Sequence, residues 1–220
     1  MKILLAALAA LQLSVISSPY DPKKDPESAA RIRKTREDFL QGRDVMVGAS
    51  SQAHPVVVDE GDLLSRARIL ATVRTSQQSA QARGIRSVLP ALAIPAIPGC
   101  TRYAETPEGM RLPHSLTDNG MITAWDCGRY GVRIDRSAYG IPLEGVATEG
   151  FPRAEIFAIV NHGAVKRDFF ETRGGRRQVA LQWIGTKHAV DIVVATDTGG
   201  DFAQLYATAL HILDRTTRTL

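Results

Sequence analysis

Cysteine is scarce in this chain, which has only two, Cys100 and Cys127, in 220 residues. Two cysteines without a nearby histidine pair have poor spacing for zinc, so a structural metal site is disfavoured. In a chain that leaves the cytoplasm, an even number of cysteines is typical of a disulfide. The sequence therefore predicts one bridge between Cys100 and Cys127, and the alternative is a pair of free thiols.

The chain also lacks a strong excess of charge of either sign. It contains 27 lysines and arginines against 23 acidic residues, and the signs alternate along the sequence. Nucleic-acid binding calls for a concentrated basic face with aromatic residues interleaved, and aromatic residues make up only 6% of the chain. We therefore expect no nucleic-acid partner.

The motifs of the common catalytic classes are missing as well. The sequence has neither the Gly-x-Ser-x-Gly elbow of serine hydrolases nor the His-Glu-x-x-His helix of zinc peptidases. Arg173-Gly174-Gly175 is rich in glycine, but no helical pattern follows it, so it indicates a hairpin turn rather than a phosphate-binding loop. These absences predict no cofactor and no metal.

The N-terminus has the pattern of a secretory signal. Lys2 is followed by an almost unbroken apolar stretch over residues 3–16. This stretch is shorter than the roughly 20 residues that a membrane-spanning helix needs, so no stable span is expected. Small residues favour cleavage between Ser17 and Ser18, and the alternative is a buried N-terminal helix. No cysteine follows to accept a lipid, so the sequence predicts a periplasmic or extracellular protein.

Residues 18–99 indicate a mixed N-terminal segment. A charged helix is expected over residues 26–41, and two valine-rich runs at 45–47 and 56–58 suggest a hairpin. A second helix is expected to begin at Asp62 and to end near Gly84. The proline-rich stretch 89–99 is incompatible with a helix or a central strand, which predicts a connector packed over the core or a binding strip for a partner.

Residues 100–220 have the pattern of an α+β domain. Strands are expected at 121–127, 132–135, 154–160, 165–172, 177–184 and 188–195, several of them alternating apolar and polar residues. A C-terminal helix follows, with Phe202, Leu205, Ala209 and Leu213 on one face. The predicted fold is an antiparallel β-meander of four to six strands with this helix packed on it, preceded by the helical N-terminal segment.

Four residues are weak catalytic candidates. His162, His188 and Asp191 lie near the ends of neighbouring predicted strands and could converge, although ordinary surface positions are the alternative. The string Asp197-Thr198-Gly199-Gly200 resembles the Asp-Thr-Gly-Gly segment of the double-psi barrel in membrane-bound lytic transglycosylases. That resemblance implies an acid at Asp197 that cleaves peptidoglycan. The pattern departs from that family afterwards, because a helix follows here instead of a strand with the second acid.

Other acids offer a further route to glycoside chemistry. Asp126, Asp135 and Glu149 occupy plausible site positions, and paired carboxylates about 5 to 9 Å apart can hydrolyse glycosidic bonds. The sequence therefore leaves two main hypotheses, besides an inhibitor or immunity-type protein, which the small size allows but to which no residue points. The first is a non-enzymatic exported accessory or binding module that recognises an envelope protein or a cell-wall component. The alternative is a cell-wall hydrolase that uses acidic residues.

Overall fold

A computed structural model describes residues 55–92, 97–112, 114–138, 158–218 and 220. The predicted signal peptide at 1–17, the helix at 26–41 and the valine-rich run at 45–47 lie outside these residues. So do Glu149 and the first part, 154–157, of one predicted strand. None of the described helices combines the length and the apolar character needed to cross a membrane.

The described chain folds into one open, mixed sheet of nine strands with two helices. The elements, in chain order, are β1 (Val56–Val58), α1 (Arg66–Ala82), β2 (Arg86–Ser87), β3 (Thr101–Arg111), β4 (Thr117–Asp126), β5 (Tyr130–Ala138), β6 (Ala158–Val160), β7 (Gly163–Thr172), β8 (Arg177–Ile184), β9 (His188–Thr196) and α2 (Phe202–Thr217). The strand order is β1-β7-β8-β9-β5-β4-β2, with β3 paired to β4 and β6 paired to β7. Helix α1 packs on β3, β4 and β5, whereas α2 packs on β8 and β9.

The expected meander accounts for only part of this sheet. Strands β7, β8 and β9 form consecutive antiparallel pairs as predicted, but β9 then pairs with β5. The predicted number of four to six strands is too small, and the sheet is not purely antiparallel, because β1 pairs with β7 and β2 with β4 in parallel. The run 56–58 is a strand as predicted, but its described partner is β7, and the run 45–47 expected to form a hairpin with it lies outside the described residues. Strand β2 has two residues, too few to give an alternating pattern. Since β1 and β2 both precede residue 100, the sheet draws strands from both sides of the predicted boundary at 99 and 100.

The main core lies between the sheet and α2. Alternate residues of β5, β8 and β9 point to this side and pack against the apolar face of the helix, as the sequence predicts. Its fully or almost fully buried members are Val132, Ile134, Val179, Leu181, Val190, Ile192, Val194, Leu205, Ala209, Ile212 and Leu213. Both tryptophans, Trp125 and Trp183, belong to this cluster.

Trp183 is closely enclosed at the edge of the main core. Its indole Nε1 donates to the carbonyl oxygen of Val160 at 2.7 Å. A Cβ atom at either Gly163 or Gly185 would overlap the indole ring. Glycine is therefore required at both positions for the ring to keep its place.

A second, smaller core lies under α1. Ile69, Leu70 and Val73 pack on the small side chains of the other sheet face, among them Ala124 and Ala180. The helix begins later than predicted, because Ser65 rather than Asp62 caps it: the Ser65 hydroxyl accepts from the Arg68 amide at 3.1 Å.

The disulfide between Cys100 and Cys127 is present as predicted. It connects the residue before β3 to the residue after β4, next to the register pair Thr101 and Asp126. The described part of the proline-rich connector lies over the main core, where Leu92 and Ile97 are buried.

Candidate functional site

The structure separates the predicted candidates His188 and Asp191. Both are on β9, but they are three residues apart, so their side chains lie on opposite faces of the sheet. His162 lies in the turn between β6 and β7 with a positive φ of 63°. Residues 55–92, 97–112, 114–138 and 158–218 contain no group of three side chains able to hold a metal ion. The three candidates therefore do not form a joint site.

Asp197 lies at the N-terminus of α1. Its Oδ1 accepts from the Ala67 amide at 3.0 Å, and its Oδ2 is 3.7 Å from Nη1 of Arg66. Arg66 also binds both carboxylate oxygens of Asp126, at 2.8 and 2.7 Å, which lowers the pKa of Asp126. A carboxylate at this end of a helix is favoured by the helix dipole. These contacts give Asp197 and Asp126 a role in holding α1 on the sheet.

The glycines after Asp197 shape the turn into α2. Gly199 and Gly200 have φ values of 56° and 128°, which side chains rarely adopt. A Cβ atom at Gly200 would also approach Cγ2 of Thr196 to 2.9 Å. Asp201 then caps α2 by accepting from the Ala203 amide at 3.0 Å. Asp197 is six residues beyond Asp191, about 20 Å along an extended chain, so these two acids are not neighbours.

Three carboxyl groups do gather on the α1 side of the sheet, beyond the area that the helix covers. Asp191 of β9 lies directly opposite Asp135 of β5 in the antiparallel register. Glu108 of β3 joins them, because its register partner is Gly120, which has no side chain to separate it from β5. We call Glu108, Asp135 and Asp191 the carboxylate cluster.

Among the members of the carboxylate cluster, Arg133 forms a direct ion pair with Asp135. Its Nε and Nη2 bind the two oxygens of Asp135 at 2.8 and 2.7 Å, an arrangement that gives strong charge-assisted hydrogen bonds. Asp191 has no such partner: its Oδ1 is buried without a hydrogen-bond donor among the described residues. The side chain of Gln182, on the adjacent strand β8, is its other polar neighbour.

Burial and repulsion make Asp191 a weak acid. Burial, followed by the negative charge of Asp135, raises the pKa of Asp191 to about 8, against the opposing effects of Arg133 and Gln182. Burial and the charge of Asp135 also raise the pKa of Glu108. Asp191, with its raised pKa, therefore lies beside the Asp135 carboxyl group that Arg133 binds, and such perturbed carboxyl groups are common at functional sites.

The sequence identified Asp135 and Asp191 as separate acids but did not identify Glu108 or Arg133. The pairing of Asp135 with Asp191 depends on β5 lying next to β9, and three strands separate these two in the chain. An available indication was the presence of an acid, Asp191, within the largely apolar strand β9. Comparison of the chain with protein-family models, with curated proteins and with solved structures finds no match.

Proposed function

We propose that this chain is exported to the periplasm or out of the cell and acts there as a non-enzymatic binding protein. The apolar stretch after Lys2 and the Cys100–Cys127 disulfide support export, because disulfides persist in oxidising compartments. The ligand-binding part of the proposal rests on one observation, the buried and unpartnered Oδ1 of Asp191 beside the Asp135 carboxylate.

Export can be tested by the intact mass of the protein recovered from a bacterial periplasm. We expect the loss of residues 1–17 and no alkylation of Cys100 or Cys127 unless a reductant is added. A chain that keeps Met1 and alkylates at both cysteines without reductant would contradict export.

The carboxylate cluster is suited to an organic cation. Asp135 presents a partly exposed carboxylate, and Glu108 beside it can be reached from solvent, although its surroundings partly desolvate its carboxyl group. The cluster has three acids against the single guanidinium of Arg133. An ammonium or guanidinium group from a partner can donate charge-assisted hydrogen bonds to Asp135 and Glu108. The positive charge of the bound group would favour the ionised form of Asp191, which lies beside Asp135. Binding should therefore release a proton.

Binding can be measured calorimetrically with hexalysine as the probe and with hexalysine acetylated on its side chains as the uncharged control. We expect hexalysine alone to bind, with an affinity that rises from pH 6 to pH 9 as Asp191 loses its proton. Glu108→Gln should weaken binding about tenfold, the loss of one charge-assisted contact of about 1.4 kcal/mol. The matched variant Asp62→Asn changes an exposed acid outside the cluster and should leave the affinity unchanged. Equal effects of the two variants, or binding of the acetylated peptide, would contradict the proposal.

The hydrolase alternative is supported by the same pair, because Asp191 with its raised pKa has the form of a general acid and the adjacent Asp135 carboxyl group has the position of its partner. The test is incubation of the purified protein with peptidoglycan. Our proposal predicts that no soluble fragments are released. Release that is abolished by Asp191→Asn would replace the binding proposal with a hydrolase using this pair, and release abolished by Asp197→Asn would assign the acid to Asp197.

A further inference from the structure

Arg136 is a buried cation on the opposite face of the sheet from the carboxylate cluster. It belongs to β5 and is 5% exposed. Its Nη2 donates to the carbonyl oxygen of Pro90 in the connector at 2.7 Å. Its Nε is buried and has no hydrogen-bond partner, and the described residues provide no ion pair for the guanidinium. A buried charge without an ion pair, and with an unsatisfied N–H group, lowers the stability of the folded state. A group that compensates this charge is therefore expected.

Glu105, the described acid whose charge acts on Arg136, already accepts hydrogen bonds from other donors. Oε2 of Glu105 accepts from the side chain of Arg102, from the Thr123 hydroxyl at 2.7 Å and from the Leu92 amide at 3.3 Å. Its negative charge favours the ionised form of Arg136 through space, but burial has the larger effect and lowers the pKa of Arg136. Glu105 therefore leaves the Nε–H of Arg136 unsatisfied.

The remaining charged neighbours are positive. His188 lies opposite Ala138, two residues beyond Arg136 on the same face, and the charges of Lys187 and Arg136 add to burial in lowering the pKa of His188. Arg102 also acts on Arg136 as a like charge. Among the described residues, Glu105 is the acid that acts on Arg136, whereas Arg102 and Lys187 add positive charge, so the described part of this corner has a surplus of positive charge.

We propose that Arg136 anchors a binding site for a small oxyanion, a carboxylate or phosphate group, between β5 and residues 89–92 of the connector. The anion would accept from the free Nε–H and would supply the counter-charge that the guanidinium lacks. His188, which is partly exposed, marks the open side of this site and can donate a further hydrogen bond. The site is distinct from the carboxylate cluster in sheet face and in ligand charge, so either one can exist without the other.

Thermal unfolding in sodium phosphate or sodium acetate, compared with sodium chloride at equal ionic strength, tests the proposal. We expect one of the oxyanions to raise Tm saturably, by about 5 °C or more at a hundredfold excess over Kd. Arg136→Met should abolish this rise. In chloride alone this variant should be at least as stable as the native chain, because it removes an uncompensated buried charge. The matched variant Arg86→Met removes an exposed cation and should keep the full response.

A measurement on the native protein covers the case in which Arg136→Met does not fold. The arginine Nε–H resonances are followed by NMR during titration with phosphate and with acetate. One resonance should move downfield and saturate, and the anion that moves it identifies the ligand class. If neither anion raises Tm or shifts a resonance, or if Arg136→Met responds as the native chain does, the proposed site is wrong.

Discussion

Reduction of the Cys100–Cys127 disulfide is expected to lower the free energy of unfolding by about 3 to 4 kcal/mol. The cysteines are 27 residues apart in the chain, and the bridge removes conformational freedom from a loop of that length in the unfolded state. It also closes one end of the β3–β4 pair, where the edge strand β3 forms a ladder with no strand other than β4 in the described sheet. The corresponding decrease in Tm is about 10 °C for a chain of this size.

Urea denaturation with and without reductant measures this difference in stability. The double variant Cys100→Ser, Cys127→Ser is the control, since it should be destabilised to the same extent and should not respond to reductant. Identical unfolding curves for the oxidised protein and for protein with two titratable thiols would show that the bridge adds no stability.

Replacing Asp191 by asparagine is expected to stabilise the protein, and to do so more strongly at pH 9 than at pH 5. The folded-state pKa of about 8 is above the usual value for an aspartate, about 3.9. Between these two values the folded chain keeps a proton that the unfolded chain has lost, so stability falls as the pH rises through this window and levels off above it. Asparagine does not ionise, which should recover about 1 to 3 kcal/mol at high pH.

The check is a series of urea unfolding experiments from pH 5 to pH 9 on the native chain, on Asp191→Asn and on the exposed control Asp62→Asn. The native chain and the control should lose stability in parallel over this range, and Asp191→Asn should lose less. A constant difference between Asp191→Asn and the native chain at all pH values would mean that Asp191 does not titrate in this window.

The elements that the sequence predicts well are those with a long, regular apolar period. Buried residues recur regularly along helix α2, which has 16 residues, and along strands β8 and β9, which have 8 and 9. The structure confirms these three elements, and the ends of both strands lie within one residue of the predicted positions. Strand β3 has 11 residues, yet it was not predicted as a separate strand because Pro107 and Gly109 interrupt its pattern. A proline is tolerated there since β3 is an edge strand of the described sheet.

The candidate sites depend on pairings that no local pattern contains. Asp135 and Asp191 are 56 residues apart in the chain and become neighbours only through the β5–β9 register. Arg136 lies in a strand where arginine normally indicates a solvent-facing position, yet it is buried and its guanidinium bonds to Pro90 of the connector, 46 residues earlier in the chain. Local sequence therefore identifies individual acids and cations, whereas the fold determines which of them lack a partner.

The enclosure of Trp183 and the position of Trp125 determine how this protein can be observed by fluorescence. Both of its tryptophans are buried in the main core, on the α2 side of the sheet. Intrinsic emission therefore monitors that side only, and detachment of α1 from the other face would leave it almost unchanged. Far-ultraviolet circular dichroism includes the 17 residues of α1, so a circular dichroism transition that precedes the fluorescence transition would show that the two faces unfold separately.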